Sequence, residues 1–501
     1  MRVQHGDSVE ARPGFVVEGV WDAAFEEGGF HASPHFFGSG LRVEGEALWM
    51  VPSRALVDRL VYCEEGDALL ASNSLALLLG CTGARLAPRH DYRRQSFTIL
   101  RGIDHYDPSF PVTHPRITEL RQRFHHPLAA TRAALEQRPG PAARPFASFA
   151  DYHDAVEGTL TRIRENAASP ARHAPLRAFS TISAGYDSGA VTALVRDGIE
   201  GAFTSRRSNS TIRPWMSRKA AIDDGTPIAR RLGVETLYLD RHPDRVTEDE
   251  LFFLAPTAAE PELVFHSMAR HIEQGGAAVV FTGFHGDKVW DVDTSGAYLS
   301  DQVRRGDVSG LNLSEIRLKA GFVNVAVPFL FARQVQEIVA VSRSDEMLPW
   351  RLHNGYDRPI PRRILEESGV PRHLFGQRKK AVVQTYGYPV HPTLRRAFLE
   401  HLRARRGIPT FVPYLHTRVN RAAFLAGAAF ERLTRLYRRR PRHTPTRIFW
   451  KGLDLPYELH AWALEALADR LAPAVAPFTS AAAPGAAPRA VPAADPAPAS
   501  A

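Results

Sequence analysis

An alternation of strand and helix that begins near residue 149 constrains this chain more than any other feature. Ala178-Phe179-Ser180-Thr181-Ile182 reads as a short strand. Ser183-Ala184-Gly185-Tyr186-Asp187-Ser188 is a turn of small residues, and residues 189–195 begin a helix. Farther on, Thr226 is expected at a helix N-cap, Pro227 at N1 and Gly233 just past the helix end, with a strand at 234–239. Residues 277–281 form an apolar strand that runs into Thr282-Gly283-Phe284-His285-Gly286-Asp287-Lys288. This rhythm predicts a mostly parallel sheet in an α/β domain.

The chain before it has a different texture. Within residues 1–110, short alternating runs at 14–20, Ala47–Val51 and Ala68–Ser72 predict strands, and 74–79 a helix. Gln-Arg-Pro-Gly-Pro-Ala-Ala-Arg-Pro-Phe-Ala at 137–147 places the main boundary. The expected division is a strand-rich α+β domain at 1–136, a linker at 137–148, an α/β domain at 149–471 and a disordered Ala/Pro tail at 472–501. No apolar run approaches the roughly 20 residues that span a bilayer. The first residues lack an apolar signal core, so a cytoplasmic protein with no membrane association is expected. Cys63 and Cys81, the only cysteines, are expected to be buried fillers.

The 183–188 turn carries chemistry. A strand, a tight turn and a helix N-terminus gather free backbone N–H groups at a point of positive dipole, which suits a phosphate. Ser183 and Ser188 add hydroxyls, and Gly185 admits close approach. Asp187 repels a bare phosphate, so its presence points to Mg2+ between them. Asp287, in a glycine-rich loop after a strand, is the candidate second ligand, because open α/β sheets bind ligands at the carboxyl ends of strands. An ordinary βα connection with Ser and Asp capping would also account for each loop alone.

Charge singles out two further stretches. Only six of the 63 cationic side chains are lysine, yet Lys379 and Lys380 are adjacent. A lysine retained in so arginine-rich a chain marks a need for a compact point charge. Residues 401–451 hold twelve Arg and Lys451 against the single acid Glu431, and they account for the whole net charge of +9. Phe430, Leu433 and Tyr437 fall at helical spacing, with Arg432, Arg435 and Arg439 on another face. That segment is read either as a solvated helix or as a dock for an acidic carrier protein or leader peptide. Nucleic acid is not the expected partner.

Taken in order, these motifs resemble the synthetase domain of the asparagine synthetase family, within the PP-loop ATP pyrophosphatases. The family's Ser-Gly-Gly-x-Asp-Ser loop is similar to the 183–188 turn, with Ala184 in place of one Gly. The stretch from Asp223-Asp224 to Gly233 resembles its Asp-Glu, helix, Leu-Gly segment. Residues 282–288 resemble its Ser-Gly-Glu-Gly-Gly-Asp-Glu loop, and Ala326-Val327-Pro328-Phe329-Leu330 its Arg-x-Pro-Phe-Leu-Asp element. Ile364-Leu365 and Arg378-x-Lys380 resemble its late Leu-Arg and Arg-x-Lys stretch. The likeness covers roughly 150–400.

The resemblance implies a nucleotide α-hydrolase-like fold and an ATP-dependent carbon–nitrogen ligase. ATP and Mg2+ would be used to adenylate a substrate carboxylate, and an amine would then displace AMP. It implies that Ser183, Ala184, Gly185, Tyr186, Asp187, Ser188, Thr282 and Gly283 bind ATP and pyrophosphate. Asp187 and Asp287 would bind metal, and Lys380 would stabilise the transition state. Glutamine-using members carry a nucleophilic Cys after the initiator Met, where this sequence has Arg2. The region before the linker is similar to a degenerate form of their Ntn-like amidotransferase domain, best at residues 67–79. The combination is similar to β-lactam synthetases and lasso-peptide cyclases, which implies natural-product biosynthesis with an amine already on the substrate. Phe284 and Lys288 replace the family's two loop acids, which leaves the amine's base open. Two other readings fit the same loops: a PP-loop enzyme activating a nucleobase or tRNA oxygen, and a non-catalytic nucleotide- or peptide-binding relative.

Overall fold

The two antiparallel sheets of the N-terminal region come from strands β1 (Glu10–Arg12), β2 (Phe15–Val20), β3 (Phe37–Glu44), β4 (Ala47–Val51), β5 (Leu60–Glu65), β6 (Ala68–Ser72), β7 (Arg85–Leu86), β8 (Ser109–Thr113), β9 (Glu119–Arg123), β10 (Leu128–Ala130) and β11 (Leu135–Gln137). One sheet has the order β1-β2-β3-β4-β10-β11 and the other β6-β5-β9-β8-β7. This is a computed structural model, which describes residues 2–140, 145–206, 223–239, 246–258, 262–353, 356–376, 387–419, 422 and 453–475. The expected strands at Ala47–Val51 and Ala68–Ser72 form with those bounds, and the 74–79 helix is Leu75–Thr82 with Ser74 as N-cap. Where β2 and β3 pair, Gly19 faces Gly38. A Cβ on Gly38, at φ +116°, would stand 2.0 Å from the Glu18 carbonyl oxygen, so only glycine fits.

The third sheet is parallel throughout. Its strands are β12 (Arg177–Thr181), β13 (Gly201–Thr204), β14 (Thr236–Tyr238), β15 (Ala278–Thr282) and β16 (Phe322–Ala326), in the order β14-β13-β12-β15-β16. β15, paired on both sides, and β16, at the edge of the sheet, are both buried at every residue. The chain builds outward from β12 to β14, then returns to lay β15 on the other side of β12. The strand order therefore reverses between β12 and β15, and such a switch point leaves a crevice beyond the strand ends.

Several element ends differ from expectation. Helix Asp187–Val195 starts two residues early and takes Asp187 into its first turn. In helix Thr226–Leu232 the N-cap is Gly225, not Thr226. Asp224 Oδ1 accepts from the Thr226 N–H at 2.9 Å, while the Thr226 hydroxyl meets that of Tyr238 at 2.7 Å. Gly225 has no side chain to accept at the N-cap, and the Asp224 carboxylate takes the Thr226 N–H instead. Thr282 belongs to β15, not to the loop after it.

The linear division at 137–148 does not separate two cores. Leu75 and Phe110 share one apolar cluster with Phe179, Phe322, Leu459 and Trp462. Helix Leu455–Leu471, buried along ten of its residues, is the shared element. At Gly80 a Cβ would stand 2.8 Å from the Ala468 carbonyl, so the two helices touch backbone to backbone. The expected tail also starts too early at 472: Ala472–Ala474 form a 3-10 turn and Val475 is buried, because the chain still has apolar surface to cover there. Residues 476–501 lie outside the described residues. Among the described residues no helix is long and apolar enough to cross a membrane.

Polar contacts tie the halves together. Gln302 Nε2 donates to Asp104 Oδ2 at 3.1 Å, His126 Nε2 lies 3.0 Å from Asp104 Oδ1, and the Ile103 N–H donates to the Gln302 carbonyl at 2.9 Å. The His126 hydrogen bond, helped by Gln302, holds the Asp104 pKa down to about 2. An unfolded Asp titrates near 3.9. A depressed carboxylate stabilises the fold above its unfolded pKa and loses that contribution as pH falls through its folded one. Asp104 is partly exposed, so screening limits the effect to on the order of 1 kcal/mol. Asp104→Asn should therefore weaken the fold at neutral pH, and the gap from wild type should close between about pH 4 and 2 in urea titrations.

Candidate nucleotide site at the strand switch

The 183–188 loop is organised from within. The Ser183 N–H donates to Ser188 Oγ at 3.0 Å, the two hydroxyls lie 3.0 Å apart, and the Gly185 N–H donates to Ser183 Oγ at 3.1 Å. The serines therefore shape the loop as well as offering hydroxyls. Tyr186 faces inward and is fully buried, under Tyr356 at 4.9 Å and Phe375 at 5.8 Å, and accepts a hydrogen bond from Arg362. Only its backbone remains for a ligand. Ala184 offers its carbonyl to the Gly376 N–H at 3.0 Å, which brings the 371–376 segment onto the loop.

The 282–288 loop sits directly against it. A Cβ on Gly283 would stand 2.6 Å from the Ser188 nitrogen, and one on Gly286 would stand 2.4 Å from Asp187 Cγ. Both glycines are thus required by close approach, and the two loops meet at the switch between β12 and β15. Thr282 is buried, with its hydroxyl donated to Asn324 of β16 at 2.7 Å. Phe284 packs against Gly310 and Phe265 and so offers no acid or base. His285 takes a left-handed φ of +62° and stacks on Phe329 at 4.9 Å. Burial, with Arg305 nearby, pushes its pKa down to about 3 and leaves the imidazole neutral. Lys288 Nζ lies 3.2 Å from Asp287 Oδ2 and 4.9 Å from the Tyr298 ring centroid.

Charge converges on Asp187. Its Oδ2 accepts from Arg358 Nη1, while its Oδ1 is buried without a hydrogen-bond partner among the described residues. Burial raises the Asp187 pKa, Arg358 opposes that, and the carboxylates of Asp287 and Asp291 add to the rise. Arg358 Nε also lies 3.4 Å from Asp291 Oδ2, and its guanidinium stands 4.9 Å from the Tyr356 ring centroid. Next to it in the chain, buried Asp357 accepts the Leu352 and His353 N–H groups, each at 3.0 Å. Hard carboxylate oxygens, one of them buried and without a partner, fit Mg2+. Among the described residues only His153, Asp154 and Glu157 bring three ligand atoms within 4.8 Å of one another, and two of those three side chains are exposed. Asp187, Asp287 and Asp291 do not form such a three-residue group, and Arg358 pairs with Asp187 and Asp291.

The structure thus brings Ser183, Ala184, Gly185, Asp187, Ser188, Gly283 and Asp287 to one place. Lys380 and Arg378 lie outside the described residues, as do Phe430, Arg432, Leu433, Arg435, Tyr437 and Arg439. Helix Pro392–Arg406 covers the start of the basic 401–451 segment. Asp291, Tyr356 and Arg358 were not legible as site residues in the sequence, since no motif marks them. A cleft of about 880 Å³ opens elsewhere, between residues 88–97 and Arg406, Asp454 and Glu458. It contains none of these loop residues, and its Arg93 and Arg406 are paired with Asp454 and Glu458. No protein-family model matches the chain, and no curated protein matches it.

Proposed function

We propose that the chain is an ATP-dependent, AMP-forming amide ligase or cyclase of PP-loop type, acting on a carboxylate in the assembly of a peptide-like natural product. The observation that carries this reading is the meeting of the 183–188 and 282–288 loops at the strand switch, with Asp187 packed on Gly283 and Gly286. A phosphate-sized anion at the N-terminus of helix Asp187–Val195 would meet the helix dipole and the loop N–H groups. Asp187 and Asp287 would hold Mg2+, which supplies charge neutralisation on the pyrophosphate.

In the reaction a substrate carboxylate oxygen attacks the α-phosphorus of ATP. The bond to the β-phosphate oxygen breaks, and pyrophosphate leaves with the electron pair. An amine nitrogen then attacks the acyl carbon of the acyl-adenylate and loses a proton, and AMP leaves. The 183–188 loop would orient the β- and γ-phosphates, and the packed strand ends would keep that loop from shifting. Lys380 would place a fixed cation over the developing charge. It is four positions along the chain from Gly376, which is bonded to the loop, and four such steps span at most about 14 Å. Burial pushes the Cys63 pKa up to about 12, which does not suit a nucleophile for releasing ammonia from glutamine.

The test is product identity. With ATP, Mg2+ and pools of amino-acid and peptide carboxylates, the protein should release pyrophosphate and AMP in equal amounts. Lys380→Ala should lower that rate by roughly 10²–10³-fold without loss of ATP binding. Release of ADP and phosphate instead would contradict adenylation.

A further inference from the structure

Arg358 has no part in the reaction as written, yet it is the side chain most firmly attached to Asp187. It is 3% exposed, donates to Asp187 Oδ2, reaches Asp291 at 3.4 Å and packs on Tyr356. A guanidinium does not lose its proton in a protein, so it leaves a carboxylate only by moving. A divalent cation on Asp187 would stand beside this charge in a site with little water to screen the repulsion. The two cations therefore compete for one carboxylate. A nucleotide changes the balance, because its phosphates give the displaced guanidinium a bidentate anion.

We propose that Arg358 is the resident counter-ion of Asp187. It yields that carboxylate to a divalent cation only when the cation arrives with a nucleotide, and it then pairs with the nucleotide's phosphates. This rests on the ATP-site reading above and adds an order to it: metal alone binds poorly, metal and nucleotide bind together. Arg358 is thus a gate on the metal position and, in the loaded site, a phosphate ligand. Thermodynamic coupling requires the reciprocal effect, so metal should tighten nucleotide binding as much as nucleotide tightens metal binding.

The experiment titrates the full chain with Mn2+, read as loss of the free-ion paramagnetic resonance signal, with and without α,β-methylene-ATP. Wild type should take up Mn2+ alone weakly. Arg358→Gln should bind Mn2+ alone at least about tenfold more tightly, and adding Asp187→Asn should erase that gain. The same Arg358→Gln should weaken Mn2+–analogue binding by about tenfold or more. Its melting temperature should be below wild type without metal and should recover in millimolar Mn2+, because only the folded site binds the ion. If Arg358→Gln does not fold, Arg358→Lys replaces it. That variant should keep weak uptake of Mn2+ alone and still lose analogue affinity, because lysine lacks the guanidinium fork. Wild-type affinity of Arg358→Gln for Mn2+ alone, with analogue binding still lost in Asp187→Asn, would overturn the gate and leave the ATP site standing. Unchanged analogue affinity in Arg358→Lys would also overturn it. Analogue binding that survives Asp187→Asn would remove the ATP reading, and the gate with it.

Discussion

Asp187→Asn should lower pyrophosphate and AMP release by at least about a thousandfold while the protein remains folded. The separation of these two effects follows from the surroundings of the side chain. Burial and the carboxylates of Asp287 and Asp291 both disfavour a charge on Asp187. Asparagine removes that charge and keeps an oxygen for Arg358 to donate to, while Asp291 continues to balance the guanidinium. The fold should therefore tolerate the change. The reaction should not, because a neutral amide is a poor ligand for a hard cation. Parallel pyrophosphate assays and thermal melts check both halves. A variant that unfolds would place Asp187 in the scaffold, and one that turns over normally would remove it from the chemistry.

The largest expected effect on stability is at Arg317. Its Nη1 donates to Asp58 Oδ2 at 2.6 Å, its Nε to Glu18 Oε2 at 2.9 Å, and its side chain is 1% exposed. Asp58 Oδ1 also accepts the Ser314 N–H at 3.1 Å, and Glu18 Oε2 accepts from Asn73 at 2.9 Å. Glu315, two residues away, accepts the Leu75 N–H at 2.7 Å and the Ser74 hydroxyl at 2.6 Å. Helix Ser314–Arg317 is thus fastened to the N-terminal sheets just before β16 enters the parallel sheet. Removing one partner of a buried ion pair strands the others, at a cost of about 3–5 kcal/mol. Whole-domain stabilities are about 5–15 kcal/mol. Arg317→Leu should therefore shift the urea midpoint sharply downward. Adding Asp58→Asn and Glu18→Gln should restore much of the loss, because no buried charge is then left alone. A midpoint within error of wild type for the single variant would show that the trio contributes little.

Strand β15 was legible because residues 277–281 are a continuous apolar run, the pattern that burial on both faces sets, whereas in 178–182 Ser180 and Thr181 interrupt it. The two loops were legible because small residues at strand ends report local backbone demands. The meeting of Gly283 and Gly286 with Asp187 follows from strand order, which local sequence does not encode. Arg358 was hidden for a related reason. It lies 171 residues from Asp187, and in a chain where nearly every cation is arginine no single one stands out. The same arginine excess drew attention to Lys380, whose position lies outside the described residues. The boundary at 137–148 marks a real change in texture, but composition cannot show that helix Leu455–Leu471 returns to the N-terminal region and joins the cores.

Whether the switch between β12 and β15 is a nucleotide site can be measured without knowing the acyl substrate. Calorimetric titration of the full chain with α,β-methylene-ATP should give one Mg2+-dependent site per chain in wild type, weakened at least about tenfold in Asp187→Asn. Equal affinity in the two proteins, or none in either, would contradict an ATP site built on Asp187.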